Sequence, residues 1–177
     1  YALVDGEWVA QPVQTPGAFS ALGGLYSTVA DLATWVAGFI DAWPPRDEGD
    51  AHPLSRASRR EMQQVVTAMP MQLGGRDGLS RVVAVGYCMG LLSSENFAIG
   101  RTIGHTGGYP GFGSNMTWHP ANRIGVIALA NGRYAGAPGA VAGALAALVP
   151  ATPQRLHIEP HPAAAEIRRT IDAALMA

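Results

Sequence analysis

Residues 99–131 constrain this chain more than any other stretch. Six glycines fall among the fourteen residues from 100 to 113, and two strand-like segments follow, joined by a turn at 120–123. Residues without a Cβ let another backbone or a ligand come close, so a strand running into paired glycines predicts one wall of a cleft. Gly107 and Gly108 stand where that strand is expected to end. His105 and Thr106, just before them, bring the titratable and hydroxyl groups of the edge, and imidazole is the side chain that changes charge near neutral pH. A bland reading stays open beside this one: His105 as a structural histidine at a strand end, and 104–113 as a flexible loop. A phosphate cradle is a poor reading, because no Gly-Lys-Ser/Thr follows and no helix opens after the glycines.

With 177 residues the chain can bury a sizeable core as one domain. It is 48% hydrophobic and 14% charged, which is the composition of a folded and rather apolar protein. A formal net charge of −1 without a basic tract excludes an electrostatic footprint for nucleic acid. The single cysteine, Cys88, forms no internal disulfide and sits in an apolar run with no adjacent base, so it reads as a small buried thiol. His52, His119, His157 and His161 lack the spacing of a zinc site. The uncharged run at 134–152 is too rich in alanine and glycine, and too broken by proline, to span a membrane. No cofactor is implied.

Along the chain, residues 1–17 predict an extended segment anchored by Trp8 and Val9, with Pro12 and Pro16 preventing a helix. Thr28 reads as an N-cap with Asp31 three residues on, opening an amphipathic helix to about 42 in which Trp35 and Phe39 are core. A second helix is expected from 55 to about 66, with Arg56, Arg59, Arg60 and Glu61 outward. A loop at 74–78 precedes a continuous strand at 81–92, covered on both faces. A turn at 93–96 then leads to a short strand at 97–99. Strands at 114–119 and 123–130 flank the turn at 120–123, where asparagine tolerates a left-handed backbone. The second of these strands is so apolar that it needs cover on both faces. A helix of small residues at 138–149 packs on the sheet, then prolines mark a linker from 150 and a final amphipathic helix at 163–176. Asn115 and Asn131 read as polar residues of the sheet edge and turns.

Two of these stretches carry a family pattern. His105-Thr106-Gly107-Gly108, then Pro110-Gly111-Phe112, then Leu129-Ala130-Asn131-Gly132, resemble the third motif and closing hairpin of the serine β-lactamase and penicillin-binding-protein superfamily. The nearer similarity is to its class C branch with the related esterases and D-amino-acid peptidases. Leu22-Gly23-Gly24-Leu25-Tyr26-Ser27-Thr28 with Ala30-Asp31-Leu32 resembles the start of a helix in the same family. The resemblance covers roughly residues 17–149. It implies an α/β (α+β) fold in which an antiparallel sheet is flanked by helices. It also implies a division into 1–149, the C-terminal portion of a serine hydrolase domain, and 150–177, a linker and helix.

The family's chemistry is attack of a serine on an ester, amide or β-lactam carbonyl to give an acyl-enzyme, with the oxyanion held by two backbone N–H groups. By resemblance, Gly108 supplies one of these donors after the His105-Thr106-Gly107 triplet. Thr106 would bond the substrate or its carboxylate, and His105 would line the cleft. Tyr109 and Phe112 read either as substrate contacts at the cleft edge or as local packing. Histidine stands where many members have lysine, and imidazole is not a permanent cation at pH 7. The expectation therefore moves toward esters and peptides and away from anionic β-lactams.

The family's nucleophile lies in Ser-x-x-Lys, yet this chain contains no lysine and no Tyr-x-Asn triplet. The expected partner is thus the missing N-terminal part of the same domain, and the apolar face left by its absence would favour an oligomer. The alternative is a catalytically inactive binding or scaffolding module of the same fold.

Overall fold

The computed structural model describes residues 1–13, 15, 17, 18, 20–46, 48–70, 72, 73, 82–96, 98–133, 135–153, 170 and 173. The loop expected at 74–78, Arg81, Phe97, Pro16, His157, His161 and all but residues 170 and 173 of the closing helix at 163–176 lie outside them. The chain opens with β1 (Ala2–Val4) and β2 (Glu7–Val9), followed by the short helix α1 (Ser20–Gly23), α2 (Val29–Asp41) and α3 (Arg56–Met62). Next come β3 (Thr67–Ala68), β4 (Gln72–Leu73), β5 (Val82–Tyr87), β6 (Leu92–Asn96), β7 (Gly100–Tyr109), β8 (Phe112–His119), β9 (Ile124–Ala130) and α4 (Ala137–Ala151). Among the described residues β1 and β2 form a separate ribbon. The rest make a seven-stranded antiparallel sheet in the order β3-β5-β6-β7-β8-β9, with β4 also on β5. The predicted antiparallel sheet flanked by helices is what the chain forms.

Helix α2 begins where its cap chemistry places it. The Thr28 hydroxyl oxygen accepts the Asp31 N–H at 3.2 Å and the hydroxyl donates to the Asp31 carboxylate at 2.9 Å, satisfying a donor that the first turn leaves open. Val36 and Phe39 on its inner face are buried with Ile103, Trp118, Cys88 and Leu91. Phe39 stacks on Trp118 with centroids 5.3 Å apart. On the opposite face of the sheet, Val141, Leu145 and Val149 of α4 close over Ile124, Val126 and Ala128. Strand β9 is therefore covered on both sides over 124–128, while Leu129 beyond is 43% exposed.

The turn between β8 and β9 is locked to α4. Asn122 donates through Nδ2 to the carbonyls of Val149 at 3.0 Å and Thr152 at 2.7 Å, which terminates the helix. His119 is buried. The Asn122 N–H donates to its Nδ1 at 3.2 Å, so the ring proton sits on Nε2 and bonds the Ile99 carbonyl at 2.5 Å. The left-handed residue of this turn is Arg123, with φ 58°, and not Asn122, whose side chain is committed to α4.

Several local expectations are corrected. The lead-in at 1–17 is in part the β1-β2 hairpin, and Trp8 and Val9 are exposed on it, with the Trp8 ring beside Gly132. The second helix ends at Met62, because Val66 already donates its N–H to the Tyr87 carbonyl at 2.9 Å and the chain enters β3. Arg59 points inward: it is 1% exposed, ion-paired with Asp50, and donates to the Gly38 carbonyl at 2.7 Å. Gln63, equally buried, accepts from Trp118 Nε1 at 3.2 Å and donates to the Arg59 and Phe39 carbonyls, tying α2 and α3 to the sheet. The run at 81–92 is two strands, split by a turn in which Cys88 donates to the Leu91 carbonyl at 2.8 Å and Gly90 takes φ 71°. Its Ala84 and Tyr87 are exposed, so it is not covered on both faces. Residues 93–96, expected as a turn, are strand β6. Trp35 is not core; at 37% exposure it stands at the mouth of a cleft. Among the described residues no helix is long and apolar enough to cross a membrane.

Candidate active site

Strand β7 does not stop at the paired glycines. It runs through Gly107 and Gly108 to Tyr109, and a two-residue loop, Pro110-Gly111, returns the chain into β8 with Phe112 opposite Tyr109. Proline fixes the φ of the first loop residue and Gly111 takes φ 84°, the combination a type II turn requires. On its other side β7 pairs with β6 only as far as Gly104, opposite Leu92. Among the described residues no strand pairs with that side of 105–109.

The direction of the backbone groups on this open edge follows from the hairpin. Tyr109 and Phe112 close a two-residue loop, so their pair is hydrogen-bonded, and counting back in twos gives Gly107 and His105 the same orientation toward β8. Thr106 and Gly108 then aim their N–H and C=O groups at the open edge. The Thr106 carbonyl is indeed met there by a side chain, His105 Nδ1 at 2.6 Å.

Side chains alternate in the other sense. His105 and Gly107 share the face of Ile103, opposite Met116 and Ser114, which is the face covered further along by α2. Thr106 lies on the α4 face, opposite Asn115, and is exposed. Asn115 itself is buried and its Oδ1 accepts from the Thr117 hydroxyl at 2.7 Å.

Beside this strand end lies a cleft of about 1040 Å³. One wall is Gly107, Gly108, Tyr109 and Phe112 with Leu129 to Asn131 of the neighbouring segment. The other is Gly23, Leu25, Tyr26 and Ser27 with Asp31, Leu32 and Trp35 at the start of α2. The two walls touch at the rim, where Tyr26 meets Phe112 edge-on at 6.4 Å. A Cβ on Gly23 would come within 3.0 Å of the Tyr109 ring, so the glycine lets the walls close. Among the described residues Asp31 is the only acidic or basic side chain of the lining, and its carboxylate is engaged by the Thr28 hydroxyl. Of the residues singled out in the sequence, the fold thus brings Gly107, Gly108, Tyr109 and Phe112 to the cleft. His105 and Thr106 sit on the same strand but are not in its lining.

His105 meets a residue that no local pattern pointed to. Tyr87 Oη stands 3.5 Å from His105 Nε2, with the rings perpendicular at 87°. Leu25, Tyr26, Trp35 and Leu129 were also not assigned to the cleft beforehand. For the first two the signal was present in the Gly-Gly-Leu-Tyr run. For Tyr87 it lies only in the strand register. Cys88 is 3% exposed, and burial pushes its thiol up, which leaves it unsuited to nucleophilic work. Among the described residues no group of three or more metal-ligating side chains occurs.

The family model described as Beta-lactamase matches residues 2–151. No curated protein and no solved structure gave a match.

Proposed function

The chain belongs to the beta-lactamase family, and from that footing we propose that it forms one wall of an acyl-transfer site acting on ester, amide or β-lactam carbonyls. The nucleophilic serine comes from a Ser-x-x-Lys segment outside residues 1–177, since this sequence has no lysine. Its Oγ adds to the carbonyl carbon, its proton passes to a base, and the carbonyl oxygen becomes an oxyanion. Gly108 N–H donates to that oxyanion together with the N–H of the serine itself. Breaking the bond to the leaving alcohol or amine leaves the acyl-enzyme, which water then hydrolyses.

The observation that carries this reading is the open edge of β7. It aims the Gly108 N–H away from β8, at the rim of the 1040 Å³ cleft. The cleft also supports a preference among substrates. Leu25, Tyr26, Trp35, Phe112 and Leu129 favour apolar acyl groups, while among the described residues the lining offers no cation to compensate an anionic carboxylate drawn out of water. Class C character, the penicillin-binding-protein likeness and the D-peptidase activity remain parts of the same proposal, with esters as its first substrate class. The test is hydrolysis of neutral p-nitrophenyl esters and of a chromogenic cephalosporin by the chain joined to its nucleophile segment. Faster turnover of the esters supports the reading, and turnover of neither removes it.

One observation favours the second reading, an inactive binding module: no Ser-x-x-Lys stands anywhere in the sequence. Binding of an aryl ester without turnover, in the joined protein, would select it.

A further inference from the structure

We infer that Tyr87 is a positioning residue for His105, holding Nε2 of the imidazole tautomer that the Thr106 carbonyl selects. The inference rests on the reading of the 105–108 edge as an acyl-transfer wall. Its first step is a matter of donors and acceptors. His105 Nδ1 lies 2.6 Å from the Thr106 carbonyl oxygen, which can only accept, so the bond requires the proton on Nδ1. In the neutral ring Nε2 then carries the lone pair. The group facing it is the Tyr87 hydroxyl at 3.5 Å, which donates. A hydrogen bond this long in an unliganded site tightens when substrate closes the arrangement.

Tyr87 is built to hold that place. Its carbonyl accepts from the Val66 N–H at 2.9 Å, its backbone pairs with Thr67 of β3 on one side and Leu92 of β6 on the other, and Leu92 in turn pairs with Gly104, the residue before His105. Two strand crossings thus fix the phenol against the histidine. The ring edge meets the imidazole at 6.2 Å between centroids, adding an aromatic contact of favourable geometry. Yet Tyr87 is 42% exposed, so its hydroxyl is not there to satisfy a buried group or fill the core. What it does is orient: with Nδ1–H tied to Thr106 and Nε2 tied to Tyr87, the ring is held between two fixed partners beside the edge that carries Gly108 N–H.

Tyr87→Phe keeps the ring and removes the hydroxyl. In the 177-residue chain, nitrogen-15 spectra of His105 are expected to show the Nδ1–H tautomer in the wild type, with the Nε2 resonance displaced in Y87F toward that of an acceptor without a donor, and backbone spectra otherwise unchanged. The Nε2–H tautomer in the wild type, or an Nε2 resonance unchanged in Y87F, overturns the inference. In the chain joined to its nucleophile segment, Y87F is expected to lower kcat by ~10²-fold with KM retained, and H105A on top of Y87F adds no comparable loss. A loss that falls on KM, or two losses that multiply, also overturns it. If the joined protein turns over no substrate at all, the acyl-transfer reading fails, and the tautomer spectra alone still decide whether Tyr87 orients His105.

Discussion

Gly108 pairs with Gly113 across the β7-β8 hairpin, one residue before its closing pair, Tyr109 and Phe112. That offset makes it a position whose N–H points away from the partner strand. Everything proposed for oxyanion binding depends on this parity. A one-residue slip in register would turn the N–H inward to β8 and exchange the faces of His105 and Thr106.

Removing the donor without removing the strand is therefore informative. Gly108→Pro deletes the N–H on the open edge, where no strand pairing is lost, and proline is tolerated at such edges. In the chain joined to its nucleophile segment, kcat for ester substrates is expected to fall by ~10²–10³-fold with the fold retained by circular dichroism. An unchanged kcat would exclude Gly108 as the donor.

His105 is half-buried and outside both hydrophobic clusters. His105→Ala is expected to lower kcat/KM for esters while shifting the denaturation midpoint little, as for a residue away from core and caps. Steady-state kinetics and a urea titration on the same preparation check both halves. Unchanged kinetics would remove His105 from the site.

Asp50 gives the fold a dependence on acid. Its carboxylate accepts the His52 N–H at 3.0 Å and is paired with Arg59, and these hold it below the usual carboxylate range. The folded chain thus binds this proton less readily than the unfolded one. The stabilisation is complete above the unfolded value of ~3.9 and is lost as pH falls through the lower folded value. Asp50→Asn is expected to flatten that part of a Tm-against-pH curve. A curve parallel to that of the wild type would mean that Asp50 is not the group responsible.

The approach of α2 to the sheet is tested at Gly125. A Cβ there would sit 2.7 Å from Val36 Cγ1, and a β-branched side chain inside a helix has little freedom to turn away. Gly125→Ala is expected to cost about 1–3 kcal/mol by overpacking, and Val36→Ala in the same chain is expected to recover part of it. Additive losses in a denaturant double-mutant cycle would show that the two do not touch.

Much of this architecture was legible where the signal is local. Thr28 and Asp31 mark the start of α2 by cap chemistry, the turn at 120–123 carries its own proline and asparagine, and the small residues of α4 announce close packing. What escaped depends on partners distant in sequence. Arg59 reads as a surface residue until the loop carrying Asp50 folds over it. The apolar run at 81–92 conceals a turn that only the φ of Gly90 reveals. In the site, the glycines and aromatics of 107–112 were readable. The neighbours that give them meaning, Tyr26 from before α2 and Tyr87 two strands away, are set by packing and register.

The central claim is that residues 105–108 face a serine supplied from outside this sequence. The most direct measurement is labelling by a fluorescent fluorophosphonate and a penicillin probe, with intact mass read on every polypeptide present. The account predicts no label on residues 1–177 alone and a single covalent adduct on the Ser-x-x-Lys segment when the two are joined, lost on substitution of that serine. An adduct on residues 1–177 alone, or none on the joined protein, would contradict it.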